Sequence, residues 1–339
     1  MNEMAFTKAR VALGGVTLDY PFIVAAGLVK GLGFADELAG LAALRDHINI
    51  IPGWRSLPAL VGPVEFGSFT RLPRLGNEGI VLWRDEAARS LQNRIGLKNP
   101  GAVVAAAFLG QRIDDLPPQF GLNIAASPGV TDDDQSAQEI CESLTAFIQQ
   151  GVIPTWFTLN LSCPNTEDDP QGHQTEQRTR HLCAAAVAHI RAAGVDVPLW
   201  VKVSPNLAAA QYEILLRVFA ETGVKAVVAT NTLPQPTPDK AQVTGGMSGL
   251  RLHQEAMTAL AYLKSAQIAQ RASVALVGCG GLMDGVTYRD FQTLEIDVVQ
   301  YWSALVFRGP LAAPLIEREF QSGYAVQPTT RYRPSPAAN

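Results

Sequence analysis

The stretch Leu199–Thr232, LWVKVSPNLAAAQYEILLRVFAETGVKAVVATNT, holds an apolar run, a helical segment and a second apolar run in direct succession. The runs Leu199–Val203 and Ala226–Thr230 are short and rich in valine, which is typical of buried strands. Residues 208–222 lie between them and have helical composition. Because strands that are buried on both faces and joined through a helix run parallel in one sheet, the stretch predicts a β-α-β unit.

The same alternation extends along the rest of the chain. Six further runs predict strands at Phe22–Gly27, Val64–Phe69, Phe120–Ala125, Trp156–Leu161, Val274–Val277 and Asp297–Ser303. Helices are predicted at 34–45, 100–109, 134–150, 175–193, 254–271, 284–294 and 311–320. Eight strand–helix units in 339 residues fit a (β/α)₈ TIM barrel, class α/β, better than an open doubly wound sheet.

The barrel is expected to form a single domain over residues 1–323, since no change in composition marks a second one. Residues 46–62, DHINIIPGWRSLPALVG, form a long connection before the second strand and are interpreted as an insertion. Trp54 within it stands among apolar residues, which favours a packed loop over an interaction surface. Residues 324–339 are rich in proline and are expected to be an irregular tail.

Composition and charge exclude several classes of protein. Hydrophobic residues make up 47% of the chain and charged residues 17%, as in a globular protein. The net charge of −4, without a basic block, argues against a nucleic-acid partner. No apolar run reaches the roughly 18 residues that a membrane helix needs, and the start MNEMAFTKAR lacks the apolar core of a secretory signal. A cytoplasmic location is therefore expected.

The four cysteines, Cys141, Cys163, Cys183 and Cys279, are scattered and form no CxxC pair. A disulfide framework, a zinc site and an iron–sulfur cluster are therefore not expected, and no metal site is predicted. Three of them fit small core positions. Cys163 differs, because it follows a predicted strand in the polar sequence TLNLSCPN (Thr158–Asn165).

Polar side chains recur where the predicted strands end. In barrel enzymes the carboxyl ends of the strands carry the active site, and an isolated polar group there would be costly to bury. Each residue could be satisfied within its own turn, but a ligand shared at one rim would satisfy all of them. The residues are Lys30, Ser68, Asn123, Asn160, Lys202, Thr230, Asn231 and Thr232.

Glycine-rich segments follow the later strands. GGMSG (Gly245–Gly249), GCGG (Gly278–Gly281) and the RGP after the eighth strand are interpreted as turns whose backbone N–H groups hold a phosphate, with plain turns as the alternative. Lys202 lies inside a predicted strand, where its cation could pair with a phosphate or an electron-rich ring. A lysine there could also form a Schiff base, so an aldolase-type lyase remains possible.

Taken together, the motifs resemble those of the dihydroorotate dehydrogenase family, whose members are FMN-containing (β/α)₈ barrels. The combination of NxSCPN with a later VK and TNT is specific, and the matches run in family order from about residue 11 to residue 320. The resemblance implies FMN-dependent oxidation of (S)-dihydroorotate to orotate, a step of pyrimidine biosynthesis. The matching stretches are AAGLVKG, EFGSFTRLPRLGN, NRIGLKNPG, LNLSCPNT, VKVSPNL, ATNT, GGMSG, VGCGG and VQYWSALVFRGP.

The resemblance also implies roles for single residues. Cys163 would be the base that takes the C5 proton, and Lys202 would stabilise the charge that the flavin gains when its N5 takes the C6 hydride. Residues 166–180 would form a lid that excludes water, or alternatively an ordinary surface loop. The implied substrate-binding residues are Lys30, Asn93, Arg94, Ile95, Gly96, Leu97, Asn160, Asn165, Asn231 and Thr232. The implied FMN contacts are Ala26, Gly27, Lys30, Ser68, Asn123, Asn160, Lys202, Thr230, Gly249, Gly280, Gly281, Trp302 and Ser303.

The sequence does not decide the electron acceptor, because it has features of two classes of the family. A cysteine base resembles the soluble class, which uses fumarate, or NAD through a partner iron–sulfur flavoprotein. The quinone class has serine there and an N-terminal extension, for which a barrel that starts near residue 11 leaves no room. AAGLVKG and NRIGLKN nevertheless resemble the quinone class, although Val29 replaces its usual aspartate and Trp302 its tyrosine. Fumarate, quinone and NAD through a partner subunit remain candidates, and a homodimer is expected.

Three rival functions follow from the same residues. A family paralogue that acts on another cyclic amide or enone is favoured by Val29, Trp302 and the insertion. A flavin-free lyase would use Lys202 or Lys30 as a Schiff base. A barrel that serves only as a binding subunit is disfavoured by the intact set of Cys163, Lys202 and asparagines.

Overall fold

Parallel strands close into a barrel, and each barrel strand coincides with one of the apolar runs that predicted a strand. The structure is a computed structural model and describes residues 10–161 and 176–323. Within these ranges, eight strands form the closed barrel in the order β10-β13-β14-β3-β4-β7-β8-β9, which confirms the predicted fold class. The strands are β1 (Val11–Leu13), β2 (Val16–Leu18), β3 (Phe22–Val24), β4 (Val64–Phe69), β5 (Leu82–Asp85), β6 (Ser90–Asn93), β7 (Phe120–Ala125), β8 (Trp156–Asn160), β9 (Leu199–Val203), β10 (Ala226–Ala229), β11 (Leu233–Pro236), β12 (Thr244–Gly249), β13 (Ala275–Cys279) and β14 (Val298–Tyr301).

Helices connect successive barrel strands and cover the outside of the barrel. The helices are α1 (Glu37–Arg45), α2 (Ser56–Val61), α3 (Ala102–Gly110), α4 (Asp133–Gln149), α5 (Glu176–Ala192), α6 (Ala209–Thr222), α7 (Leu250–Gln270), α8 (Gly285–Thr293), α9 (Ser303–Arg308) and α10 (Ala312–Ser322). None of the helices in the described ranges has both the length and the apolar character that crossing a bilayer requires.

Two apolar layers result from this arrangement. The larger one lies between the strands and the surrounding helices, and the smaller one fills the barrel. Inside the barrel Trp156 and Trp200 stack with ring centroids 4.8 Å apart, and the Trp200 indole N–H donates to the Gly14 carbonyl at 2.9 Å. Gly121 leaves the room for this stack, because a Cβ there would lie 2.4 Å from the Trp156 ring. The β1–β2 hairpin therefore closes the amino-terminal end of the barrel.

A second sheet lies outside the barrel and was not predicted. It is antiparallel, and in the described chain it has the order β11-β12-β6-β5. Gly246 on β12 pairs with Asn93 on β6, so the sheet joins the connection after β4 to the connection after β10. GGMSG is thus mostly strand, and the turn interpretation was wrong for it. Only Gly249, which has φ +82° and precedes α7, keeps a turn role.

The insertion at 46–62 is a packed segment around Trp54. This side chain is 3% exposed and meets Phe108 of α3 edge-on, with centroids 5.8 Å apart. The helix α2 ends the insertion and leads into β4. The predicted tail at 324–339 lies outside the described residues.

Helix α8 begins with a charged cap that should stabilise the fold in a pH-dependent way. Asp284 accepts from the Thr287 N–H at 3.0 Å and pairs with Arg89 at 2.9 Å. Burial opposes ionisation, but the Thr287 N–H and the Arg89 guanidinium outweigh it and lower the pKa of Asp284. A carboxyl whose pKa is lower in the folded state stabilises it above the unfolded pKa of about 3.9. That contribution is lost as the pH falls through the folded pKa.

Asp284→Asn should keep the cap hydrogen bond but lose the charge, so the free energy of unfolding at neutral pH should fall by about 1 kcal/mol. The gap to the wild type should narrow as the pH falls below about 4 and through the lowered pKa of Asp284. Urea unfolding at pH 7 and pH 3 measures both. Asp132→Asn at the N-cap of α4 is the control, because among the described residues Asp132 accepts from the Gln135 N–H without an arginine pair. Equal losses in both variants would contradict a contribution from Arg89.

Candidate active site

A cavity opens at the carboxyl ends of the barrel strands and brings most of the predicted site residues together. Its empty volume is about 1180 Å³, mouth included, which is ample for a cofactor and a small substrate. The predicted residues that line it are Ala26, Gly27, Lys30, Ser68, Asn93, Ile95, Gly96, Leu97, Asn123, Asn160, Lys202, Thr230, Asn231, Thr232, Gly249, Gly280, Gly281, Trp302 and Ser303.

The structure tests most, but not all, of the predicted positions against this cavity. Within the described ranges Arg94 is the predicted residue that does not line it. Its Nη1 donates to the Glu78 carbonyl at 3.4 Å, away from the side to which Asn93 and Ile95 turn. Cys163 and Asn165 lie outside the described residues. The same holds for most of the predicted lid at 166–180, and the part from Glu176 onward is the start of α5, not a loop.

The asparagines at the ends of β8 and β10 are linked. Asn231 donates from Nδ2 to Asn160 Oδ1 at 3.1 Å, and Asn160 donates in turn to Ser68 Oγ at 3.1 Å. The Thr232 N–H donates to Asn231 Oδ1 at 2.8 Å. These bonds fix both amides, so their orientation is set before a ligand arrives.

Lys202 extends from β9 into the barrel near the cavity floor. It is 6% exposed, and its Nζ lies 3.2 Å from Gln300 Oε1 and 3.4 Å from Cys279 Sγ. The pairing of β8 with β9 sets Asn160 directly beside Lys202. The Lys202 cation is thus held next to Asn160, the first residue of the asparagine pair.

A fully buried carboxylate lies below the cavity. Glu65 on β4 accepts four hydrogen bonds, and none of its partners is charged. Oε1 accepts from Asn123 Nδ2 at 2.7 Å. Oε2 accepts from Trp156 Nε1 at 2.9 Å, Thr158 Oγ1 at 2.8 Å and Gln300 Nε2 at 3.0 Å. Gln300 therefore bridges Glu65 to Lys202 through one amide.

The sequence analysis missed Glu65 and Gln300, although a signal was present. A charged or amide side chain inside an apolar strand must find partners, because burying it unpaired is costly. Both VEF at Val64–Phe66 and VVQY at Val298–Tyr301 carry that signal. The other lining residues were not predicted individually, in part because the outer sheet that holds some of them was not foreseen. They are Ala25, Leu82, Leu91, Ser248, Leu252, Cys279, Leu282 and Tyr301.

The cavity presents polar groups that have no hydrogen-bond partner within the described part of the chain. Asn123 Oδ1, Thr232 Oγ1 and Trp302 Nε1 are buried and have no hydrogen-bond partner among the described residues. All three side chains line the cavity. Unpaired buried polar atoms are rare in native proteins unless a ligand or water satisfies them. A ligand that has both ring donors and ring acceptors fits this set, as a flavin does.

The glycine-rich part of the cavity suits an anion. Gly249 precedes α7, Gly280 and Gly281 follow β13, and Ser303 begins α9, with its Oγ 3.1 Å from Ser248 Oγ. Small residues leave their backbone N–H groups accessible, which is how proteins bind phosphate. Gly280 is required for a second reason, because a Cβ there would lie 2.6 Å from Ala256 of α7. The RGP segment (Arg308–Pro310) is not among the lining residues of the cavity, and the Arg308 side chain pairs with Glu319.

Comparison with known proteins identifies the family. A family profile described as dihydroorotate dehydrogenase matches residues 53–323. The dihydroorotate dehydrogenase (quinone) of Haloarcula marismortui is 31% identical over 327 residues, which cover 94% of this chain and 81% of that one. The Nocardioides sp. protein of the same name is 33% identical over 301 residues, 83% of this chain and 81% of that one.

A solved structure shows the same fold. The crystal structure of dihydroorotate dehydrogenase from Eimeria tenella in complex with ferulenol gives a TM-score of 0.72 at 21% identity, covering 95% of this chain and 87% of that chain. The family is flavin-dependent, and its members are oxidoreductases that act on CH–CH groups. The cavity fits that chemistry, because it presents polar atoms that a flavin ring could pair with and glycine-rich segments that could hold an anion. From the profile match and the identities over most of its length, the chain belongs to the dihydroorotate dehydrogenase family.

Proposed function

We propose that the protein is an FMN-dependent dihydroorotate dehydrogenase that oxidises (S)-dihydroorotate to orotate in pyrimidine biosynthesis. The observation that carries the proposal is the convergence of Lys202, the linked asparagines and the glycine-rich anion side on one cavity. Bound FMN supplies the acceptor for the hydride from C6. A location in the cytoplasm and a homodimeric state belong to the same proposal.

The proposed substrate site is built on the asparagine pair. Each amide offers a donor and an acceptor, as the ring amides of dihydroorotate do. Asn160 and Asn231 are held by each other and by Ser68, so they meet the ring without reorganisation. Lys30 also lines the cavity and would supply the positive charge for the carboxylate. Asn93 lines the cavity from β6 of the outer sheet.

The proposed proton acceptor is Cys163. The sequence from Asn160 to Cys163 continues directly beyond the end of β8, where the asparagine pair begins. A thiolate can take the C5 proton, and the unperturbed pKa of a thiol, about 8.5, falls beside cations and dipoles. The base has to approach the substrate from the face opposite the cofactor.

The proposed cofactor site has a ring end and a phosphate end. Lys202 lies at the ring end, where its cation would stabilise negative charge that builds up on the ring during the reaction. Gly249, Gly280, Gly281 and Ser303 would hold the phosphate of FMN through backbone N–H groups.

We propose a quinone as the electron acceptor. The supporting observation is that the relatives at 31% and 33% identity, aligned over most of this chain, are named quinone enzymes. Cys163 favours fumarate or NAD, as the cysteine base of the soluble class does. The similarity to quinone enzymes extends over many positions, whereas the cysteine base is a single position. We therefore give the overall similarity more weight.

Anaerobic mixing of the purified protein with L-dihydroorotate tests the function. We expect a yellow protein whose visible flavin absorbance bleaches rapidly, and a short-chain quinone that restores the colour faster than fumarate or NAD. A yellow protein that stays yellow would contradict the substrate and favour the paralogue with another cyclic amide or enone. Faster reoxidation by fumarate would overturn the acceptor alone.

A further inference from the structure

Glu65 is buried in the barrel beneath the proposed cofactor site. It is fully buried and accepts four hydrogen bonds on its two oxygens. An ionised carboxylate can only accept hydrogen bonds. A neighbouring amide can therefore bond to it through the amide nitrogen but not through the amide oxygen. Glu65 therefore dictates which way the amides around it turn.

Two amides are oriented in this manner. Gln300 must direct its nitrogen to Glu65 and its oxygen to Lys202. This arrangement is the only one that suits both neighbours, because an ammonium donates and never accepts. Asn123 must likewise direct its nitrogen to Glu65 at 2.7 Å. Its Oδ1 is then left facing the cavity, where it has no partner among the described residues.

We infer that Glu65 is a positioning residue, which holds the Asn123 oxygen toward the cofactor as an obligatory acceptor. The oxidised isoalloxazine ring has one ring N–H donor, at N3, between two carbonyl acceptors. Asn123 Oδ1 would accept a hydrogen bond from that N–H. In the opposite amide orientation the Asn123 NH₂ group would face the N3–H, so that two donors would repel each other. This inference rests on the proposed FMN site and adds to it a residue that touches neither cofactor nor substrate.

The distribution of donors predicts what an isosteric change would do. Oε2 of Glu65 meets three donors and Oε1 only one. In Glu65→Gln the amide oxygen should take the place of Oε2, where three donors meet it. The amide nitrogen should take the place of Oε1 and point at Asn123. Asn123 would then turn over and present its NH₂ group to the cavity. The cofactor would lose an acceptor and gain a repelling donor.

The test measures FMN dissociation constants of the deflavinated full-length chain by fluorescence titration. Glu65→Gln should weaken FMN binding by about tenfold or more. Adding Asn123→Asp should restore it to within about threefold of the wild type, because the new carboxylate accepts from Gln and keeps an oxygen on the cavity. Asn123→Asp alone should bind FMN poorly, since two carboxylates would then face each other.

A matched control separates positioning from general damage. Ser303→Ala, at the phosphate end, makes no contact with Glu65, so its effect should add to that of Glu65→Gln without any rescue. Thermal midpoints from circular dichroism show whether each variant folds. Absence of rescue in the folded Glu65→Gln/Asn123→Asp variant would overturn the inference. A wild-type chain that binds no FMN would instead overturn the proposed function.

A measurement without variants covers the case in which Glu65→Gln does not fold. Neutron diffraction from deuterium-exchanged crystals of the wild-type holoenzyme locates the amide deuterons of Asn123 and Gln300. Both ND₂ groups should face Glu65. An Asn123 oxygen that faces Glu65 would contradict the inference.

Discussion

Replacing Cys163 with alanine should leave FMN bound and slow the bleaching of the flavin by dihydroorotate by about 10³-fold at neutral pH. The reason is that the C5 proton would have no positioned acceptor, while Cys163 is not one of the proposed cofactor contacts. Stopped-flow absorbance under anaerobic conditions measures the rate, and the flavin-to-protein ratio checks the loading. Bleaching at the wild-type rate would show that another group is the base.

Cys163→Ser is the matched variant, because it keeps the size and the hydrogen-bonding capacity of the side chain. A hydroxyl is much harder to ionise than a thiol, whose unperturbed pKa is about 8.5. The rate should therefore rise with pH over a higher range in the serine variant than in the wild type. Superimposable pH profiles would contradict proton removal by residue 163.

Lys202→Met should produce the second large loss, with the bleaching rate falling by about 10²- to 10³-fold. Methionine fills a similar volume but removes a buried cation that Gln300 Oε1 and Cys279 Sγ now contact. Negative charge on the ring would lose its stabilisation, so the reduction potential of the bound flavin should also fall. Anaerobic redox titration measures the potential, and stopped-flow absorbance measures the rate.

Lys225→Met is the control, since Lys225 is exposed and precedes β10 at the amino-terminal end of the barrel. It should change neither quantity. An unchanged potential in Lys202→Met would contradict the electrostatic role. The lyase alternative makes its own prediction, namely a colourless wild-type chain that borohydride links to a carbonyl substrate at Lys202 or Lys30.

The barrel could be predicted from the sequence because buried parallel strands give continuous apolar runs. The predicted strand at Leu199–Val203 has the observed bounds, and that at Ala226–Thr230 differs by one residue. The outer sheet could not be predicted in the same way. Two of its strands read LPQP and TGGMSG, whose proline and glycine are typical of turns. They form strands because TGGMSG pairs with LPQP on one side and with β6 on the other.

The candidate site was predictable where polar residues end apolar strands, as Asn160 does, or interrupt them, as Lys202 does. Glu65 carries the same signal but stands second in its strand, below the rim at which barrel enzymes carry their active site. Arg94 was assigned through its neighbours in NRIGLKN, and the backbone turns it away from the cavity. Cys163 and Asn165 lie outside the described residues, so their roles remain predictions from the sequence.

The outer sheet has a consequence for the way the mouth of the cavity opens. β5–β6 and β11–β12 are each a local hairpin, and a lone hairpin in water is only marginally stable. The β6–β12 ladder pairs Ser90–Asn93 with Gly246–Gly249 and so joins the hairpins across a long sequence separation. The seam lets the two hairpins support each other, so breaking it should loosen both together. We therefore expect the sheet at the mouth to open as one unit, at a lower cost than global unfolding and with the barrel below it still closed.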